Sequence, residues 1–120
     1  MSKLEVTSSA RSTQGPHTSR AGEQVLMVQM AVSEVTGVAL TELASTKRGD
    51  PETAFARQMA IYLCHLVFGM SAYRLADAFG RDRKTVRHAL RRVEDLREDR
   101  ELDRVLSWLE ASLRRTGEKA

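Results

Sequence analysis

The sequence has few of the residues that favour β-structure, disulfide frameworks or long irregular loops. Only 5% of its 120 residues are aromatic, and it contains two prolines and one cysteine. A single cysteine excludes an internal disulfide framework and a cysteine-based metal site. Cys64 lies in an apolar run, where we expect it to be a small buried hydrophobe. With 42% hydrophobic residues, the chain has enough apolar surface for one core, and the composition predicts an all-α protein.

Several signatures of membrane proteins and enzymes are also missing from the sequence. No apolar run approaches the roughly 20 residues of a membrane-spanning helix, and the N-terminus has no apolar signal region. We therefore expect a cytoplasmic protein with no membrane partner. The sequence has no phosphate-binding Gly-x-x-x-x-Gly-Lys-Ser/Thr loop, no nucleophile motif and no supported metal-ligand spacing. We expect neither an enzyme nor a protein that binds a nucleotide, metal or other cofactor.

Positive charge is concentrated in the middle of the chain. Lys and Arg total 19 against 16 Asp and Glu, a net charge of +3. Residues 46–92 hold ten basic and four acidic residues, a net charge of +6, whereas the segments before and after carry −1 and −2. Such a concentration is typical of a surface that binds phosphate.

The spacing of apolar residues predicts a series of helices between two tails. The predicted helices cover residues 23–36, 38–45, 52–68, 71–79, 82–96 and 103–115. Asp50 and Pro51 are typical of a helix start, and glycines such as Gly37 and Gly69 are typical of helix ends. The helix over 52–68 is apolar on most sides and should be the central buried one. We predict a disordered tail at 1–22, a domain at 23–116 and a short tail at 117–120.

Residues 71–90 have the pattern of a helix-turn-helix. Two short helices meet at Gly80, the small Ala76 allows their close approach, and Val86 and Leu90 are expected to face the core. The outer face of the second helix is basic; it comprises Arg83, Lys84, Arg87 and Arg91, with Arg81 and Arg92 at its edges. The alternative is an ordinary solvated face. Such faces usually mix charge signs, as residues 94–104 do, whereas residues 81–92 contain six basic residues and one acidic residue.

Three segments carry a resemblance to a known family. They are Val-Thr-Gly-Val-Ala-Leu-Thr-Glu-Leu (35–43), Ala-Arg-Gln-Met-Ala-Ile-Tyr-Leu (56–63) and Ala-Asp-Ala-Phe-Gly-Arg-Asp-Arg-Lys-Thr-Val-Arg-His-Ala-Leu (76–90). Residues 24–98, about two thirds of the chain, resemble the C-terminal DNA-binding domain of the bacterial replication initiator DnaA. The resemblance implies an all-α, Trp-repressor-like domain with a basic loop, a central helix and a helix-turn-helix.

The resemblance also implies which residues contact DNA. Arg57 matches the family's minor-groove arginine, and Lys47 and Arg48 lie in the basic loop as phosphate contacts. The family's recognition helix begins with the sequence Asp-His-Thr-Thr. In this chain Asp82 and Thr85 match the first and last of these residues, but Arg83 and Lys84 replace the His and the Thr between them. The turn before the helix is also one residue shorter than in the family. The full set of predicted DNA-binding residues is Lys47, Arg48, Arg57, Arg81, Asp82, Arg83, Lys84, Thr85, Arg87, His88 and Arg91. His88 either bonds phosphate or is a partly exposed helix residue.

Two classes of function follow from these patterns. The first is a sequence-specific, nucleoid-associated protein that binds double-stranded DNA and regulates transcription or replication. In its DNA site, the half that Arg57 contacts through the minor groove is expected to be AT-rich. The alternative is a protein-interaction module that keeps the fold and binds an acidic partner.

Trp108 lies one position off the apolar stripe of the last helix. We expect it to pack at the edge of the core, with a homodimer or partner contact through this helix as the alternative.

Overall fold

The computed structural model describes residues 16–119, and the regular structure in this range is entirely helical. The helices are α1 (Pro16–Thr36), α2 (Leu40–Ala44), α3 (Pro51–Phe68), α4 (Ala72–Phe79), α5 (Arg83–Leu96) and α6 (Arg100–Lys119). The all-α prediction is confirmed. None of these helices combines the length and apolarity that are needed to cross a bilayer.

Helix α3 is the centre of the fold, as its apolar sequence predicted. It packs against α1, α5 and α6, and most of its side chains from Thr53 to Cys64 are buried. Its ends carry the predicted signals: the Asp50 side chain accepts a hydrogen bond from the Thr53 amide (2.8 Å), and Gly69 ends the helix with φ 67°. Burial raises the pKa of the Cys64 thiol to about 12, so this residue is an inert core side chain.

A polar network joins the C-terminal end of α5 to α3 and α6. The Arg97 guanidinium donates to the Asp103 carboxylate (2.6 Å), the Ser107 hydroxyl (2.9 Å) and the Tyr62 hydroxyl (3.1 Å). The Tyr62 hydroxyl in turn donates to Glu94 (2.6 Å). The mixed charges of residues 94–104 therefore include a set of specific contacts that fixes α6 against the centre of the domain, in addition to the solvated face that the sequence predicted.

The helix bounds differ from the predictions at both ends of the domain. Helix α1 begins at Pro16, so residues 16–22 are helical where the sequence predicted a loose tail. Residues 1–15 lie outside the described residues, and a tail there stays a prediction. Helix α6 runs from Arg100 to Lys119 rather than over 103–115. Both helices pack against each other and against α3.

Some apolar side chains on α1 and α6 lie outside the core. Met30 is 55% exposed and Trp108 is 61% exposed, and both line a groove between α1 and α6. Trp108 therefore lies mostly in solvent rather than packed at the edge of the core as expected. Val35 lines the same groove and is 41% exposed. A second copy of the chain at this groove stays a prediction.

The two helices of the helix-turn-helix offer a matched test of its packing. Leu75 on α4 is fully buried, whereas Leu90 on α5 faces the core as predicted but is only partly buried at its edge. We expect Leu75→Ala to cost about 2–5 kcal/mol of unfolding free energy, and Leu90→Ala to cost less because less apolar surface is lost. Urea denaturation of both variants measures the difference. A larger loss at Leu90 would mean that α5 is rotated about its axis.

Candidate nucleic-acid interface

Helices α4 and α5 form the helix-turn-helix that the sequence predicted. The Ser71 hydroxyl accepts the Arg74 amide (3.2 Å) at the start of α4, and the Asp82 carboxylate accepts the Thr85 amide (2.7 Å) at the start of α5. Gly80 ends α4 with φ 63°, a left-handed conformation that glycine adopts without strain. On the inner side of α5, Val86, Ala89 and Val93 are buried at steps of three and four residues. This spacing fixes which side of α5 faces solvent.

The solvent side of α5 is an exposed basic face. Its exposed members are Arg83, Lys84, Arg87, His88 and Arg91. Among the described residues, none of them forms an ion pair, and the ion pairs present there involve Arg97 and Arg114 of other surfaces. Positive charges without partners raise the local potential and attract anions. We call this set of five residues the α5 basic face.

Two further polar features lie at the start of α5. The hydrogen bond from the Thr85 amide lowers the pKa of the Asp82 carboxyl, so Asp82 is ionised and its carboxylate already bonds the first turn of the helix. The ring of Tyr73, which is 70% exposed, lies 5.7 Å from the guanidinium carbon of Arg83. This is a cation–π distance. Tyr73 was not among the residues predicted from the sequence; the available signal was an aromatic residue at an exposed position of α4.

A loop rich in basic residues lies beside the α5 basic face. Residues 45–50 connect α2 to α3, and Thr46, Lys47 and Arg48 in this loop are exposed or partly exposed. A cleft of about 580 Å³ separates the loop from α5. Its lining comes from the loop, α3, the turn and α5, namely Thr46, Arg48, Ala54, Arg57, Gln58, Ile61, Arg81, Lys84, Thr85, His88 and Ala89. The loop and the basic face thus border one concave surface.

Arg57 is buried, unlike the groove-contacting residue that the resemblance implied. The side chain is 4% exposed. Its Nε donates to the Leu43 carbonyl (3.3 Å), one terminal nitrogen to the Arg48 carbonyl (3.0 Å) and the other to the Glu42 carbonyl (2.6 Å). Burial, followed by the nearby charge of Arg81, lowers the pKa of this guanidinium. Because its donors already bond backbone oxygens, Arg57 supports the basic loop from inside.

Arg81, another predicted DNA contact, also turns toward the loop. It is half-buried, and one terminal nitrogen donates to the carbonyls of Lys47 (3.3 Å) and Ser45 (3.4 Å). The other donates to the Phe79 carbonyl (3.3 Å) within its own turn. We call Arg57 and Arg81 the loop clamp. No sequence pattern indicated it, because Arg81 and its loop partners are 34 and 36 residues apart.

These features define a helix-turn-helix domain with a basic outer face. Residues 25–93 match the family described as bacterial dnaA protein helix-turn-helix. Since the match covers more than half of the chain, this protein belongs to that family, and the resemblance seen in the sequence is confirmed.

Two known proteins illustrate the relationship. The chain is 35% identical over 66 residues to a chromosomal replication initiator protein DnaA of Pseudothermotoga lettingae, which is 55% of this chain and 15% of that protein. The fold is similar to a crystal structure of a DNA replication initiation factor, with a TM-score of 0.74 and 28% identity over 83% of this chain and 31% of that one. The chain thus corresponds to a minor part of each of these longer proteins.

The contact between the turn and the loop can be tested with two glycines. A Cβ at Gly80 would lie 2.9 Å from the Thr46 methyl carbon, whereas a Cβ at Gly69, which has a similar φ of 67°, would meet no atom within 4 Å. Both Gly→Ala changes carry the left-handed strain of about 1 kcal/mol, but we expect Gly80→Ala to lose more stability because of the added clash. Thermal unfolding measures both.

The Thr46→Ser change removes that methyl group and serves as the control. It should bring the loss in Gly80→Ala down to the loss in Gly69→Ala. Equal losses in the two single variants would show that the turn and the loop are not in close contact in solution.

Proposed function

We propose that this protein binds double-stranded DNA, with α5 in the major groove and the basic loop on the neighbouring phosphates. The observation that carries the proposal is the α5 basic face, whose charges have no ionic partners among the described residues. Helices of this motif present their outer residues to base edges and phosphates. Lys47 and Arg48 in the loop extend the same positive surface across the cleft.

The proposed DNA contacts fall into two groups, base-edge contacts and phosphate contacts, according to the position of each residue on the interface. Arg83, Lys84 and Arg87 lie in the first turn and a half of α5, where side chains of this motif reach base edges, and Asp82 and Thr85 flank the first two. Lys47, Arg48, His88 and Arg91 lie farther out and suit phosphate contacts. Membership of the DnaA family supports this arrangement. The relatives' names, which refer to replication initiation, suggest that the target sites bear on replication, where this chain would act as a regulator or a competitor.

Phosphate neutralisation makes a quantitative prediction about salt. With roughly four to seven phosphate contacts, a plot of log K against log salt concentration should have a slope of about −4 to −6. Fluorescence anisotropy with a labelled duplex, titrated over a salt range of roughly 50 to 300 mM, measures the slope. Lys47→Ala should reduce the slope by about 1.

Arg104→Ala is the matched control for this experiment. Arg104 is an exposed arginine on α6, away from the cleft, and its loss should leave the slope nearly unchanged. Binding that is insensitive to salt, or no binding at low salt, would contradict the proposal and would favour an acidic protein as the partner.

The first turn of α5 makes a prediction about sequence preference. Arg and Lys prefer the O6 and N7 acceptors of guanine, and a good bidentate pair is worth about 1–3 kcal/mol of discrimination. We therefore expect sites selected from random duplexes to be enriched in guanine at the major-groove half and to differ there from the initiator's own box. Arg83→Ala or Lys84→Ala should remove this enrichment.

Arg92→Ala provides the control for selection. Arg92 is exposed at the edge of α5, with its guanidinium 6.0 Å from the Phe55 ring, and its loss should preserve the selected motif. Recovery of the unaltered initiator box, or of no motif at all, would refute guanine recognition by this helix.

A further inference from the structure

We propose that Arg57 and Arg81 are positioning residues for DNA binding, which hold the basic loop against the turn of the helix-turn-helix and do not themselves contact DNA. This inference rests on the proposed function. It changes the role that the sequence suggested for both arginines, since both belong to the set predicted to touch DNA.

The contacts of Arg57 fix the inner side of the loop. Its three bonded carbonyls belong to Glu42, Leu43 and Arg48, so the guanidinium spans the segment from the end of α2 to the far side of the loop. A planar guanidinium with donors on three nitrogens is suited to oxygens spread over such an arc. At 4% exposure, it contributes only a small part of the inner lining of the cleft and offers little surface to a phosphate or a groove.

The contacts of Arg81 fix the same loop to the recognition helix. One end of its guanidinium bonds the Phe79 carbonyl in the turn, and the other bonds the carbonyls of Ser45 and Lys47. The turn and the loop also meet at Gly80, where a Cβ would lie 2.9 Å from the Thr46 methyl carbon. Two independent contacts therefore join the loop to the residues that immediately precede α5.

The charges of the loop explain why a clamp is needed. Arg48 lines the cleft together with Lys84 of the α5 basic face, and Lys47 is an exposed cation next to Arg48 in the loop. Like charges repel, and residues 45–50 belong to neither flanking helix. A loop that is free to move away would have to be ordered again when DNA binds, which weakens binding. The loop clamp keeps both cations beside α5 before DNA arrives.

A double-mutant cycle distinguishes positioning from direct contact. It compares the full-length wild-type chain, Arg81→Ala, the loop variant Lys47→Ala/Arg48→Ala, and the three changes combined, by affinity for one duplex and by salt slope. If Arg81 positions the loop, Arg81→Ala alone should lower the affinity for DNA about tenfold. It should also reduce the salt slope by up to about 2, because the phosphate contacts of both Lys47 and Arg48 would be lost. Added to the loop variant, it should change affinity by less than about twofold.

A measurement on the free protein tests the clamp without DNA. The ¹⁵N order parameters of the Lys47 and Arg48 amides should fall in Arg81→Ala and in Arg57→Lys, whose single ammonium cannot bond three separated carbonyls. Amides of α5 should keep their wild-type values, which shows that the domain remains folded. Unchanged loop order parameters would overturn the clamp.

The outcomes separate this inference from the proposed function. If the wild-type chain does not bind DNA, the proposed function and the role of the clamp in it both fail. If the wild type binds with the expected slope, but Arg81→Ala weakens the loop variant further and lowers its slope by about one more unit, Arg81 is a phosphate contact and only the positioning role is overturned.

Discussion

The arrangement of the interface depends on one constraint, which is that the donors of the buried Arg57 guanidinium must be satisfied. A buried charge is strongly destabilising unless polar groups surround it. Here three backbone carbonyls between residues 42 and 48 supply the oxygens, and no carboxylate is among its hydrogen-bond partners. The chain between α2 and α3 must therefore follow a path that brings these oxygens to one point. That path defines one wall of the cleft, and α5 defines the other.

The balance of paired and unpaired charge divides the surface into two functional parts. Near the end of α5 and along α6, Arg97 and Arg114 have acidic partners within 4 Å, and these pairs help to fix the helices to each other. On the α5 basic face the cations have no such partners and repel one another, which costs the free protein some stability. A polyanion that neutralises them recovers this energy on binding. Arginine thus contributes to folding on one surface and, in the function that we propose, to DNA recognition on the other.

The parts of the structure that the sequence predicted are those set by local chemistry. Asp50, Ser71 and Asp82 each bond an amide three residues ahead, and Gly69 and Gly80 end helices with positive φ, so both signals lie within a few residues. The inner face of α5 follows equally from its spacing. The positions of Arg57 and Arg81 could not be predicted in this way. An arginine has the same local sequence pattern whether its side chain faces solvent or bonds the carbonyls of a loop. Contacts with residues 9 to 36 positions away decide between these two positions.

In the DNA complex that we propose, exchange of the family's His and Thr for Arg83 and Lys84 would have two opposing effects on discrimination between DNA sequences. The added charge strengthens binding to any duplex, which by itself narrows the ratio of specific to non-specific affinity. A flexible arginine would contribute mainly to this non-specific part, because its side chain loses conformational entropy when it is fixed on a base edge. The Tyr73 ring lies at a cation–π distance from Arg83, and this contact would reduce the freedom that the guanidinium loses in the proposed contact with guanine. In the proposed complex, cation–π stacking on α4 would favour the specific part of the interaction, and the loop clamp would favour the phosphate contacts, because each would order a cation before the DNA is present.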